Sequence, residues 1–262
     1  MTLDLDAWHA RYRQQAGWTA ELRRFLFSQP ELANARRWLD VGCGTGALES
    51  ELQSNADGGQ ITLVGVDISK QNLDYAKYKV AHAAFIQADA LSLPFPAACF
   101  DLVYCHFLLL WLSDPLRALK EMRRVTQPGG SVLALAEPDY DGRIDYPPEL
   151  KTLGVWQRES LRRQGAHPDL GRRLGWLFHQ AGFHLRLSGV LGAQWTGAPA
   201  AHELASEQAI LRHDLEILFN SSPTAGWQVE YQKLTRLEEA AWRSGERVLY
   251  VPTFYAWGVV PE

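Results

Sequence analysis

The sequence predicts an α/β fold, a mostly parallel sheet covered by helices on both faces. Three observations predict it. Short apolar runs alternate with helix-patterned segments from residue 36 to 137, the rhythm of a parallel sheet, whose strands need long crossovers. A glycine cluster, Asp40-Val-Gly-Cys-Gly-Thr-Gly46, separates the first apolar run from the first helix that follows it. Asp40, Asp67 and Asp89 close three successive runs, which puts them on the rim where open α/β sheets take ligands.

The elements follow in order. The first 35 residues are helical in pattern, with Trp8, Tyr12, Leu22, Phe25 and Leu26 at helical spacing, a break near Gly17 and a stop at Pro30. RRWLDV (36–41) reads as a buried strand, and a helix follows the glycines from Ala47 to about Asn55. Asp57-Gly58-Gly59 turns the chain into a second strand, ITLVGVD (61–67). Ser69 caps the next helix, which places Leu73, Ala76 and Val80 on one face. AAFIQAD (83–89) and FDLVYCH (100–106) are the third and fourth strands. Asp114-Pro115 opens a helix to about Thr126, because proline at the first helical position loses nothing by lacking an N–H. QPGG (127–130) is a turn into the fifth strand, SVLALAE (131–137).

Residues 147–181 are helical with a break at 165–168, and FHLRLSGVL (183–191) returns to the two-residue period of a strand. Leu204, Leu211, Leu215 and Leu218 mark a helix over 200–219; Trp227, Tyr231, Leu234 and Ala241 mark another over 227–244. VLYVPTFYAWGVV (248–260) reads as the last strand. The whole chain, 1–262, reads as one domain without repeats.

Composition bounds the function. Apolar residues make up 47% of the 262 and charged residues 21%, enough for a sizeable core. A net charge of −4 with no basic block argues against a nucleic-acid partner. Cys43, Cys99 and Cys105 form no CxxC and the eight histidines are dispersed, so neither a metal nor a disulfide framework is expected. The polar, acidic N-terminus is unlike a signal peptide. The most apolar stretch, Phe100–Leu112, is too short for a membrane span and carries Asp101 and His106. A soluble, cytoplasmic protein with a small-molecule partner is expected.

Glycine loses more entropy on folding than any other residue, so three in five positions need a cause. Between a strand and a helix, such a loop lets backbone approach a ligand at Gly42 and Gly44 and lets the helix start pack closely at Gly46. The spacing is GxGxG, where a dinucleotide fingerprint is GxGxxG. Asp40 suits a ligand with a cationic amino-acid end and repels a pyrophosphate. Asp67 is placed to accept from two ribose hydroxyls, and Asp89-Ala90 to receive an exocyclic amine of adenine.

The segments LDVGCGTG, VGVDIS, QADALSLPFPAACFDLV and RRVTQPGGSVLALAEP resemble the successive motifs of class I S-adenosylmethionine-dependent methyltransferases over residues 36–140. The resemblance implies a seven-stranded Rossmann-like sheet in the order 3-2-1-4-5-7-6, the seventh strand antiparallel. It implies S-adenosylmethionine as cofactor and S-adenosylhomocysteine as product. By position, Asp40, Gly42, Cys43, Gly44, Thr45 and Gly46 would hold the methionine moiety, Asp67 the ribose, Asp89 with Ala90 the adenine edge, and Ile68 the adenine face.

A sulfonium methyl is already electrophilic, so mechanism depends on what surrounds it. His106, after the fourth strand, is a candidate general base beside the cofactor or a lining residue of the pocket. Glu137 and Tyr140, after the fifth, are further candidate proton acceptors in a carboxylate- and phenol-rich stretch that also reads as a turn. No NPPY-type tetrapeptide, Pro-Cys nucleophile or catechol-type Lys–Asp pair is present, which points to oxygen or nitrogen of a small metabolite.

Residues 145–180 and 195–245 would cap the sheet rim, with 1–35 as a helical lid. Trp156, Trp176, Trp195, Trp227, Trp242, Phe219 and Tyr231 either line an acceptor pocket or pack helices together, and spacing alone does not separate these. Arg11, Tyr12, Gln15 and Trp18 could close over the cofactor, Arg11 pairing its carboxylate. The rival readings are a nicotinamide-dependent oxidoreductase, which the glycine spacing and Asp40 disfavour; a protein that uses the cofactor's charge without methylating; and a protein or RNA methyltransferase, which would need a basic groove.

Overall fold

β-Branched and apolar runs, three of them followed by a crossover helix, build one seven-stranded sheet in the computed structural model of the chain. The structure describes residues 4–52, 61–192, 199–221 and 226–262. Strands β1 (Arg37–Val41), β2 (Thr62–Asp67), β3 (Ala83–Gln87), β4 (Phe100–Cys105) and β5 (Thr126–Pro138) are parallel. β9 (Thr253–Val259) runs antiparallel between β5 and β7 (His184–Val190), giving the order β3-β2-β1-β4-β5-β9-β7. The order matches the expected one, with the chain's last strand inserted second from the edge.

Helices α3 (Ala47–Leu52), α4 (Lys70–Lys79) and α5 (Pro115–Val125) make the crossovers. Ser69 accepts from Asn72 N and Asp114 from Arg117 N, so both expected caps are formed. One face of the sheet buries Leu39, Val41, Val103 and Val132 under α5 and α7 (Leu170–Gln180). The other buries Trp38, Leu102, Tyr104, Leu133 and Trp257 beneath Ala16, Leu26 and Leu48. These come from α1 (Leu5–Trp18), α2 (Ala20–Phe27) and α3. The α1–α2 break falls at Thr19 rather than Gly17.

Two expectations are corrected. Residues 248–260 do not form one strand: Pro252 has no N–H for a ladder, and the chain divides into β8 (Val248–Tyr250) and β9. β8 pairs with β6 (Ile144–Tyr146), a three-residue strand too short to read from periodicity. The turn expected at QPGG is a bulged start of β5, where Gly129 takes φ 73° and the backbone pairs with Val260. The turn expected at 57–59, the helix end at Asn55 and Trp195 lie outside the described residues.

The cap is built from α6 (Lys151–Arg163), α8 (Ala201–Ser221) and α9 (Trp227–Ser244) around Leu150, Leu153, Leu211, Leu215 and Leu234. A buried ion cluster joins it to the β6–β8 ribbon: Arg247 bonds Asp145 and Glu238 at 2.8 Å each, and Arg143 bonds Asp145 at 2.7 Å. Each charge there has its partner, as burial requires. Among the described residues no helix is long and apolar enough to cross a membrane.

Candidate functional site

Strand alternation fixes where the site begins. β1 sends Leu39 and Val41 to the α5–α7 face, so Trp38 and Asp40 point to the face that α1 and α3 cover. The chain then leaves the sheet through Gly42, Gly44 and Gly46, all left-handed at φ 79°, 55° and 76°. A Cβ on Gly42 would come within 2.7 Å of Leu108, and one on Gly46 within 3.2 Å of Ala76 on α4 and of Val80 at its C-cap. At Gly44 the nearest atoms are those of the Tyr12 ring at 3.4 Å. Gly46 thus serves helix packing, and Gly42 and Gly44 form the floor of a cavity.

That cavity, of about 280 Å³, runs from the glycine loop to the helical cap. Asp40, Gly42, Cys43, Gly44 and Asp67 line its floor; Trp8, Arg11, Tyr12 and Gln15 of α1 form one wall. His106, Phe107 and Leu108 lie after β4, and Tyr140, Gln157, Gln164 and Asp214 close the far end. Of the residues the sequence singled out, ten therefore meet at one cavity: Arg11, Tyr12, Gln15, Asp40, Gly42, Cys43, Gly44, Asp67, His106 and Tyr140. Thr45 and Gly46 sit behind the floor, where Thr45 Oγ1 meets His9 Nδ1 of α1 at 2.8 Å. Trp18 lies outside it, edge-on to Phe107 with Arg11 stacked 4.8 Å from its ring. Ile68 is 70% exposed beside the floor, and exposed Asp89 accepts from Leu91 N at 2.8 Å, while Ala90 is buried in the core.

Two carboxylates define the floor. Asp67 accepts from Gly44 N at 2.9 Å and Ser69 N at 2.8 Å, tying the glycine loop to the end of β2. Asp40 is buried, and its Oδ1 has no hydrogen-bond donor among the described residues, as have neither carboxyl oxygen of Glu49, buried beside it. Burial first, then mutual repulsion, holds the Asp40 carboxyl well above its usual range, and burial raises Glu49 as well. Two buried carboxyls in contact share a proton rather than both ionise. Glu49 was not legible as a site residue, although a lone charge in the first turn of a buried helix is the signal for it.

The three candidate proton acceptors are placed differently. Glu137 does not face the cavity. It is wholly buried and accepts from Leu108 N, Leu109 N and Leu110 N at 3.1, 2.9 and 3.1 Å, so it clamps the turn after β4. Burial pushes its pKa up to about 7 while those three donors pull it down. His106 lines the cavity, but burial and the nearby Arg23 drive its pKa down to about 3, which leaves a neutral, weakly basic ring. Its Nε2 lies 3.0 Å from Thr19 Oγ1, whose own proton goes to Ala16 O, so an Nε2–H donating to Thr19 satisfies the network. Tyr140 is pushed up to about 12 by burial and is a neutral phenol at physiological pH.

Arg11 stands on the cavity wall, yet Glu207 of α8 takes both arms of its guanidinium, so its charge is already matched. Of the aromatics named above as acceptor-pocket candidates, none among the described residues lines the cavity. Trp156, Phe219, Trp227 and Tyr231 pack against one another in the cap, Trp242 lies 5.9 Å from Arg247, and Trp176 is exposed. The aromatic walls are Trp8, Tyr12, Phe107 and Trp111 instead.

Part of the chain matches known proteins. A family profile described as a methyltransferase domain matches residues 39–134. That stretch is under half of the chain, and it is the stretch that resembles class I S-adenosylmethionine-dependent methyltransferases. An uncharacterised methyltransferase of Schizosaccharomyces pombe is 35% identical over 153 residues, covering 53% of this chain and 54% of that one. A demethylmenaquinone methyltransferase of Deinococcus radiodurans is 38% identical over 126 residues, covering 47% and 50%. The chain thus spans about half the length of the curated relatives it matches. In fold it is similar to a Haemonchus contortus phosphoethanolamine N-methyltransferase solved with S-adenosyl-L-methionine, at TM-score 0.53, 16% identity and coverage of 94% and 52%.

The floor of the cavity carries groups that match such a cofactor. The donorless Asp40 Oδ1 on the cavity wall is matched to an ammonium group, and Asp67 has lone pairs left for hydroxyls after its two amide bonds. Linkage makes the first point measurable. An arriving ammonium lowers the raised pKa of the Asp40–Glu49 pair, so the shared proton leaves and affinity for S-adenosylhomocysteine rises with pH across that titration. Calorimetry at pH 7 in buffers of differing ionisation enthalpy should show roughly half to one proton released per site; proton uptake would contradict the pairing.

Proposed function

We propose that the chain transfers a methyl group from S-adenosylmethionine to an oxygen or nitrogen of a small-molecule metabolite. The observation that carries the reading is the continuity of one cavity from the glycine floor to the helical cap, with Asp40 and Asp67 at one end and Tyr140 at the other. Asp40 and the backbone of Gly42–Gly44 would hold the methionine end, Asp67 the ribose, and the exposed Ile68 with Asp89 the adenine. The cofactor, when bound, supplies an electrophilic methyl on a sulfonium.

The chain's residues then act by position. α1 and the segment after β4 enclose the reacting region and limit water, while Glu137 fixes the backbone of Leu108–Leu110 that forms one wall. With His106 weakly basic and Tyr140 neutral, alignment and exclusion of water supply most of the catalysis, and an acceptor that arrives nucleophilic is favoured. The anionic floor, the GxGxG spacing and the mild negative net charge argue against a nicotinamide dinucleotide and against nucleic acid as substrate. Incubation with methyl-labelled S-adenosylmethionine and a library of small amines, phenols and alcohols should move label into a small-molecule product. Binding of the cofactor with no label transferred to any acceptor class, protein and RNA included, would favour a non-methylating use of it.

A further inference from the structure

The far end of the cavity holds a carboxylate to which the cofactor reading gives no task. Asp214 lies on α8 in an apolar stripe with Leu211, Leu215 and Leu218, is 6% exposed, and forms part of the cavity wall. A charge on a buried apolar face needs a compensating partner. Its partners are neutral amides: Gln164 Nε2 donates to Asp214 Oδ1 at 3.1 Å, and the Gln157 side chain also bonds it. Arg143 donates to Gln157 Oε1 at 2.6 Å and so turns the Gln157 amide nitrogen toward Asp214; Arg143 is in turn held by Asp145. The buried ion cluster of the cap therefore orients Asp214 without neutralising it.

The charge balance of the cavity is lopsided. Asp40, Asp67 and Asp214 line it, while among the described residues the one Lys or Arg on its wall, Arg11, is bound to Glu207. Among the described residues no cation forms a salt bridge with Asp214; burial holds its carboxyl above the usual range, against the two amides and the weaker pull of His213 and Arg11. With Asp40 and Asp67 taken up by the cofactor, an anionic acceptor would meet Asp214 and, among the described residues, no Lys or Arg on the wall other than the paired Arg11. A cationic group would be matched to Asp214, with Trp8 close by to add attraction at its face and Leu161 and Ile210 to cover an apolar body.

We propose that this end of the cavity is the acceptor subsite and that it selects a small molecule bearing a protonated amine on an apolar body, with Asp214 as its anchor. The inference rests on the methyltransferase reading of the opposite end. Phenethylamine, 2-phenylethanol and phenylacetate share a ring and differ in charge, and each is titrated by calorimetry into the full chain saturated with S-adenosylhomocysteine. The amine should bind about tenfold or more tightly than either control, and Asp214→Asn should erase that preference while S-adenosylhomocysteine affinity stays within about twofold. An amine no better than the controls, including no binding of any probe, overturns the proposal. So does a preference that survives in Asp214→Asn. The wild-type comparison decides by itself should the variant not fold. Selective amine binding in a chain that gives no heat with S-adenosylhomocysteine would keep the cation subsite and remove the methyltransferase reading.

Discussion

Replacing Glu137 by leucine is expected to lower the folding free energy by about 3–5 kcal/mol, read as a fall in the urea midpoint at unchanged slope. Leucine keeps the volume and removes every acceptor. Three backbone N–H groups, of Leu108, Leu109 and Leu110, then stay buried without a partner. Each such group costs about 1–3 kcal/mol, and relaxation of the turn recovers part of the sum. Glu137→Gln should fall between the two, because one amide oxygen still accepts while its NH₂ faces a donor. A leucine variant as stable as the parent would show that the segment after β4 is held by something else.

Replacing Asp67 by alanine is expected to weaken S-adenosylhomocysteine binding by about 2–4 kcal/mol, roughly 30- to 1,000-fold. Two effects add. The carboxylate that would meet the ribose hydroxyls disappears, and Gly44 N loses the acceptor that fixes the glycine loop against β2. Asp67→Asn keeps one acceptor oxygen and should lose less. Calorimetry reads the affinity and thermal unfolding without ligand reads the loop. An affinity change below about threefold would place the ribose away from Asp67.

What could be read from sequence was what is local. The strand–glycine–helix unit 37–52 puts Asp40, Gly42 and Gly44 beside one another whatever the remainder of the chain does, and register along β1 and β2 brings Asp67 to the same rim. The inserted position of β9 followed from the resemblance and not from any spacing. Roles that depend on packing were not legible. Glu137 reads as a rim carboxylate until a turn 27–29 residues upstream turns three amides onto it. His106 reads as a base from its ordinary pKa, and only burial under α1 and α2 with Arg23 close by removes that property.

The acceptor end was the least legible part. Gln157 and Leu161 on α6 and Gln164 at its C-cap recur at i, i+4 and i+7, and Asp214 interrupts the leucine stripe of α8, but which way those helices face is decided by the cap core. Trp156 and Trp227, two of the tryptophans that drew attention in the sequence, pack on that core. The polar residues that interrupt its apolar faces are the ones that reach the cavity.

On this account the floor from Asp40 to Gly44, with Asp67, takes an adenosyl amino acid. Calorimetry of the purified chain with S-adenosylhomocysteine, run beside a nicotinamide dinucleotide, tests it most directly. One saturable site per chain for the former and no heat from the latter is the predicted result. No heat from S-adenosylhomocysteine together with tight binding of the dinucleotide would contradict the account.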